Sequence, residues 1–454
     1  MRTRRRWGRF TARGGPEVEA EVASLVERAG EIVAASLPRD AYRALLLIGG
    51  YGRGEGGVER RDGVERPHNN LDFLLVTTPR GSAGRGVSKG RLDALLRPLS
   101  AEAGVGIDTG VISEWKLRLS PCLVLWSDMR FGHKTVAGDP SFVPSLTRFR
   151  EEAIEPSDVL HLLVNRGTLL VINDLLLARG AGSAEDRRTV VKHAMKAVIG
   201  YGDAWLFAAG EYDASYLEKQ RRMRARRDAP AALRALYDEA LEFRFEPSYE
   251  RYLERDPGAW MDRLREDLAP IHLAFERRRL GAAGLTWSDY ADRALRHALL
   301  EAPLSPWALA RKGKGLLGSA WPSAAGRAPG LLSGLDGRRF TLPGASVGES
   351  LWMDLAARCG GPKGALAVAF PAVLYGAGGP RQAELARRLL GAADPSPAEL
   401  RRAYLERWQR GGDTNFPALV ERLGLALAPR DPGPAGDLQG AEGRGSGAGA
   451  AVRS

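Results

Sequence analysis

Apolar positions in the first 150 residues switch between helical and strand-like spacing. Across residues 16–37, Val18, Val22, Leu25, Val26, Ala29, Ile32 and Val33 recur every three or four positions, with Pro16 in the first turn and Pro38 just beyond. This predicts an amphipathic helix laid on a sheet. Residues 44–48 and 71–76 are short unbroken apolar runs, closed by Gly49-Gly50 and by Thr77-Thr78-Pro79, and read as buried strands. Helical spacing returns over 91–99, residues 105–112 alternate as a strand does, and 122–126 predicts a fourth strand. From Glu155 the texture changes. Residues 159–177, 188–209, 231–243 and 260–275 all carry three-to-four-residue apolar spacing without strand-like runs.

The expected fold class is therefore α/β (α+β) over residues 1–150, followed by all-α structure over 151–311. A Gly/Pro/Ser-rich stretch at 312–346 reads as a linker or long loop. Further helices are expected within 347–428, at 351–357, 381–390 and 397–408, and the Gly/Ala/Pro-rich tail at 429–454 is expected to be disordered.

Composition narrows the class. At 454 residues with 44% hydrophobic and 27% charged positions, the chain has enough apolar material for two or three cores. Lys and Arg total 66 against 55 Asp and Glu, a net charge of +11 that favours phosphorylated partners. No stripe of interleaved aromatic and basic residues singles out a polynucleotide, so nucleic acid is an unsupported partner. Cys122 and Cys359 are far apart and form no CxxC pair, which fits a reducing compartment. The basic start MRTRRRWGRF lacks the apolar core of a secretory signal, and the apolar run 365–375 is shorter than the ~20 residues needed to cross a bilayer. The expectation is a soluble cytoplasmic protein.

The chemistry lies in residues 45–76, LLLIGGYGRGEGGVERRDGVERPHNNLDFLLV. Gly52, Gly54 and Gly57 satisfy G-x-G-x-x-G after a strand, a dinucleotide-binding pattern. That reading needs a helix at the third glycine, and residues 58–70 contain only two apolar residues and no helical period. The alternative frame is Gly49-Gly50, Arg53-Gly54 and Asn70-Leu71-Asp72, with Asp108 in GVGIDTGVIS after an intervening helix. This order resembles the DNA-polymerase-beta-type nucleotidyltransferase superfamily, which has a strand, a Gly-Gly or Gly-Ser turn, and a strand bearing two acids one residue apart. A third acid lies on a following strand. The resemblance implies a mixed sheet, Mg²⁺ (or Mn²⁺) held by Asp72, Asp108 and Asn70, and an NTP whose phosphates meet Gly49, Gly50, Arg53 and Gly54. The implied reaction moves a nucleoside monophosphate to an acceptor hydroxyl of an unidentified small molecule.

Strand positions i and i+2 project to one face, so acids so spaced can share a cation with an acid on the neighbouring strand. This chain places Asn70 where the first acid belongs and has a longer excursion before the second strand, from which Asp62 or Glu65 is a candidate replacement charge. The alternative is a nucleotidyltransferase-like binding protein without catalysis.

Residues 192–219 resemble the helical partner domain of small-molecule nucleotidyltransferases, with Lys192, Lys196, Asp203 and Lys219 as candidate contacts against the simpler reading of a solvated face. Arg187, Arg188 and His193 fit a loose Arg-x(4 to 6)-His ribonuclease pattern that chance supplies readily in an Arg-rich chain. Glu55, His68 and Asn69 are read as turn residues.

Overall fold

The computed structural model describes residues 7–83, 87–180, 183–297, 362–411, 419 and 422–425. The expected linker at 312–346, the tail at 429–454, the helix at 351–357 and Cys359 lie outside these residues.

The first half is built from α1 (Pro16–Ser36), β1 (Tyr42–Ile48), α2 (Gly49–Arg53), β2 (Val58–Arg61), β3 (Val64–Pro67), β4 (Leu71–Thr77), α3 (Pro79–Ala83), α4 (Lys89–Ala103), β5 (Ile107–Ser113), α5 (Glu114–Leu119), α6 (Val124–Phe131) and β6 (Lys134–Gly138). Four strands form one mixed sheet in the order β5-β4-β1-β6, with β4 and β5 parallel and β1 antiparallel to both its neighbours. Alternation along the strands feeds two apolar layers. Leu45, Leu47, Phe73 and Leu75 pack under α1 and α4, whereas Ala44, Leu46, Leu74 and Val76 pack against Leu117 of α5 and Trp126 and Met129 of α6. Burial on both faces explains why β1 and β4 read as continuous apolar runs.

One expectation needs correction. Residues 122–126 are not a strand: the chain turns into α6 at Val124, with Trp126 and Met129 inward and Leu125 and Phe131 exposed. A short apolar run fits either period, and here three-residue spacing prevails. The fourth strand is β6, whose sequence KTVAG offers one large apolar side chain, Val136. The excursion at 58–70 is ordered as the hairpin β2–β3, paired from Val58↔Pro67 to Arg61↔Val64. Its Asp62-Gly63 turn has φ of 51° and 78°, as a two-residue type I′ turn demands. No crossover helix follows the glycines, which removes the dinucleotide-binding frame.

A short 3-10 turn (Glu151–Ala153) leads to α7 (Pro156–Ala178), α8 (Ala184–Ala208), α9 (Tyr216–Ala225), α10 (Ala231–Phe245), α11 (Glu250–Leu253), α12 (Pro257–Arg279), α13 (Trp287–Arg296), α14 (Pro362–Tyr375), α15 (Gly379–Leu390) and α16 (Pro397–Gly411). The α7–α8 pair is the spine of this half; α10 and α12 pack on α8, and α14 packs on α7, α15 and α16. By length and apolarity α7 alone among the described helices could cross a membrane, but it is mostly buried in the helical core, with Leu163, Leu170 and Val171 inaccessible.

Ion pairs and caps join the halves. Glu55, between α2 and β2, accepts from Ser215 Oγ at 2.5 Å and Tyr216 N at 2.9 Å at the N-terminus of α9, and Arg188 of α8 pairs with Glu59 of β2 at 2.5 Å.

Candidate functional site

The sheet end where β1 stops and β4 begins gathers the sequence-predicted acids. Ile48 pairs with Asp72 across β1–β4, so Gly49 emerges directly beside Asp72. Parallel pairing puts Asp72 in register with Asp108 on β5, both side chains projecting to the same face. Asn70, one residue before β4, donates from Nδ2 to Asp108 Oδ2 at 2.9 Å. Asn70, Asp72 and Asp108 thus converge, with Asn70 and Asp108 exposed and Asp72 partly buried.

Asn70 meets both Gly106 and Asp108. Its Oδ1 lies against Gly106, where the bare Cα makes room, and its amide nitrogen faces Asp108. In this arrangement its amide donates to Asp108 and orients that carboxylate. Asp62 and Glu65 do not replace the absent acid: Asp62 is at the hairpin tip, and Glu65 accepts from Gly15 N at 2.6 Å and pairs with Arg60 at 2.9 Å.

Gly49 has φ of +68°, and a Cβ there would collide with Asp72 Oδ2. At Gly50 a Cβ would come within 2.9 Å of Arg244 Nη2, so the bare backbone lets α10 approach the turn. The expected loop is the five-residue helical turn α2, and Gly54 is its left-handed C-cap at φ +81°. Gly54 therefore terminates α2, packed under the Arg9 carbonyl. Arg53 is also placed otherwise than expected. Its side chain is 8% exposed, with Nη1 3.1 Å from Asp128 Oδ2, Nε 3.6 Å from Glu55 Oε2, and its guanidinium 4.7 Å from the Tyr216 ring centroid. Both carboxylates belong to the first half, so Arg53 ties α2 to α6, and its contact with the Tyr216 ring is the one that reaches the helical half.

Cations from the helical half face the acids. Burial, followed by the Asp108 charge, pushes the Asp72 carboxyl up to about 6, while Arg244, Lys196 and Arg53 pull it down. Lys196 of α8 keeps part of its side chain in solvent. Burial of its ammonium lowers it to about 8, assisted by Arg166, Arg244 and Lys192 and opposed by Asp72. Three other nominated residues of this half, Asp203, Lys219 and His193, are structural. Lys219 and Asp203 form a fully buried pair at 2.8 Å, and Tyr237 Oη donates to Asp203 at 2.6 Å. His193 is buried against Asn173 at 2.9 Å. His68 packs in the hairpin base beside Phe243 and Tyr249, and burial lowers it to about 4.

Sequence reasoning named Lys196 but missed Arg244 and Arg166. Nothing in local spacing connects residue 244 with residue 72; only α10 packing over Gly50 does. Asp72 and Asp108 offer hard oxygen donors of the kind Mg²⁺ takes, and Gly49 leaves the Asp72 face uncovered by a side chain. Among the described residues no three His, Cys, Asp or Glu side chains group as a metal site. A cation here would draw on the two carboxylates, Asp72 and Asp108. A separate cavity of about 450 Å³, lined by Arg53, Glu55, Arg130, Arg150, Glu151 and Ser215, contains neither acid.

Compared with family models, curated proteins and solved structures, the chain matches none.

Proposed function

We propose that the protein transfers a nucleoside monophosphate from an NTP to a hydroxyl of a small-molecule acceptor, on a nucleotidyltransferase-like N-terminal domain. The observation that carries this reading is the parallel register of Asp72 and Asp108 beside the Gly49 turn. Asp72 and Asp108 would hold Mg²⁺ or Mn²⁺, which supplies charge stabilisation for the reacting phosphoryl oxygens when bound. Asn70 fixes the Asp108 rotamer through Oδ2. The acceptor oxygen bonds to the α-phosphorus, the bond to the bridging oxygen breaks, and pyrophosphate departs. The exposed Asp108 carboxylate takes the hydroxyl proton. The reading includes a soluble, cytoplasmic setting.

The test is incubation of the full chain with α-labelled NTPs, Mg²⁺ or Mn²⁺ and a metabolite pool. Transfer that is lost in Asp72→Asn and Asp108→Asn supports the reading. No transfer by the native chain, with Asn70→Asp also silent, overturns it.

One observation favours a second reading, a nucleotide-binding protein of the same fold without catalysis: an amide donor at residue 70 stands in place of an acid. Calorimetry with and without Mg²⁺ separates the two: NTP affinity that Mg²⁺ leaves unchanged belongs to the inactive binder, and affinity that Mg²⁺ raises through Asp72 and Asp108 belongs to the transferase.

A further inference from the structure

Arginines near the junction of the two halves are mostly committed to carboxylates. Arg53 pairs with Asp128, Arg188 with Glu59, Arg222 with Asp213 and Arg60 with Glu65, while the buried Lys219 pairs with Asp203. Arg166 of α7, Lys192 and Lys196 of α8 and Arg244 of α10 differ. None of the four has a carboxylate within 4.0 Å among the described residues. They nevertheless act on one another and on the acids: Arg166, Arg244, Lys192 and Asp72 all perturb Lys196, and Arg244 and Lys196 both perturb Asp72.

Four cations opposite two carboxylates leave an excess of positive charge at one end of the sheet. Gathering like charges in partial burial is unfavourable unless an anion occupies the space between them. Arg244 is the most pre-organised. Its guanidinium stacks 4.2 Å from the Tyr216 ring centroid, and the Tyr216 backbone is tied to Glu55. Its Nε is buried without a hydrogen-bond partner, and its Nη2 approaches Gly50. Stacking fixes the plane of the guanidinium and leaves its edge donors for two oxygens of a phosphate. Lys196 supplies a compact charge from the adjacent helix, and Arg166 crosses α8 where Gly200 leaves room for its side chain.

We propose that Arg166, Lys196 and Arg244 form a wall that binds a polyphosphate chain opposite the Asp72–Asp108 pair, and that this wall binds it without a metal ion. The proposal rests on the transferase reading only for the identity of the substrate that carries the chain. The cluster suits a compact ligand with several negative charges, either free triphosphate or the phosphates of a nucleotide.

The experiment is calorimetric titration of the full-length protein with inorganic triphosphate in excess chelator, with ATP and inorganic monophosphate as parallel ligands. Triphosphate binds the native chain, and monophosphate binds far more weakly. ATP binding at the affinity of triphosphate assigns recognition to the phosphates; tighter ATP binding adds a contact to the nucleoside without altering the wall. Lys196→Met and Arg244→Gln each weaken triphosphate by about tenfold or more. Arg244→Lys, which keeps the charge and loses the fork, lies between native and Arg244→Gln and guards against a folding artefact. Asp72→Asn binds metal-free triphosphate more tightly than the native chain, because it removes a repulsive charge.

No binding of triphosphate without metal, or unchanged affinity in both neutral variants, overturns the proposal. Absence of nucleotidyl transfer alongside this binding pattern refutes the transferase reading and leaves the wall intact.

Discussion

Replacing Asp72 by Asn should make the ligand-free protein more stable near neutrality, although it removes one of the two carboxylates of the candidate site. In the folded chain burial and Asp108 raise the Asp72 carboxyl from 3.8 to about 6. A carboxyl with a raised folded-state pKa favours folding fully only below its unfolded value, and that contribution is lost as pH rises through the folded one. With a shift of about two units the loss amounts to about 3 kcal/mol at pH 7 and to about half of that at pH 5. The assay is reversible urea denaturation of native and Asp72→Asn chains, in chelator, between pH 5 and 7.5. The stability difference between variant and native chain should grow in favour of the variant by about 1–1.5 kcal/mol from pH 5 to pH 7. The pH dependence of the difference is the diagnostic quantity, since the loss of attraction to Arg244 and Lys196 offsets part of the absolute gain. A difference that is flat with pH would refute the account of Asp72 as an acid held ionised against its surroundings.

Gly49→Ala places a Cβ on Asp72 Oδ2 at a φ of +68°, and should cost about 1–2 kcal/mol and displace the carboxylate, read as weakened Mn²⁺ binding. Gly63→Ala has a similar φ of +78° with open space around it, and should show about 1 kcal/mol of destabilisation with Mn²⁺ binding unchanged. Lys219→Met strands the buried Asp203 and should lower stability by about 3–5 kcal/mol in urea unfolding. Glu55→Ala removes the acceptor for Ser215 Oγ and Tyr216 N, and should cost about 1–3 kcal/mol while raising hydrogen exchange in the first turn of α9.

Much of the α/β half was legible because β1 and β4 are buried on both faces and its long helices are amphipathic, so the apolar runs 44–48 and 71–76 and the alternation at 105–112 marked three of the four strands. The error at 122–126 came from a run too short to distinguish its period, and β6 escaped because an edge strand with one buried Val leaves little pattern. The hairpin had a readable signal in V-E-R-R-D-G-V-E-R-P, where Asp-Gly divides two equal arms, but the exposed arms lack apolar alternation. The site was legible where it is local. Asn70 and Asp72 share a strand entry, and Asp108 follows one helix later, so their convergence follows from sheet topology. The burial of Arg53 against Asp128 was not legible because it depends on α6, which the sequence offered as a strand, and Arg244 over Gly50 was not because it depends on how the helical half seats on the sheet. Within that half Lys196 and Lys219 look alike in sequence. Only packing separates the lysine paired with Asp203 from the one left facing Asp72.

Mn²⁺ titration followed by electron paramagnetic resonance, with the full chain and an unreactive NTP analogue, tests most directly whether Asp72 and Asp108 form a cation site. Saturable Mn²⁺ binding by the native chain, lost in both Asp72→Asn and Asp108→Asn, is the expected result. Undiminished Mn²⁺ binding in those variants, or none in the native chain, would contradict it.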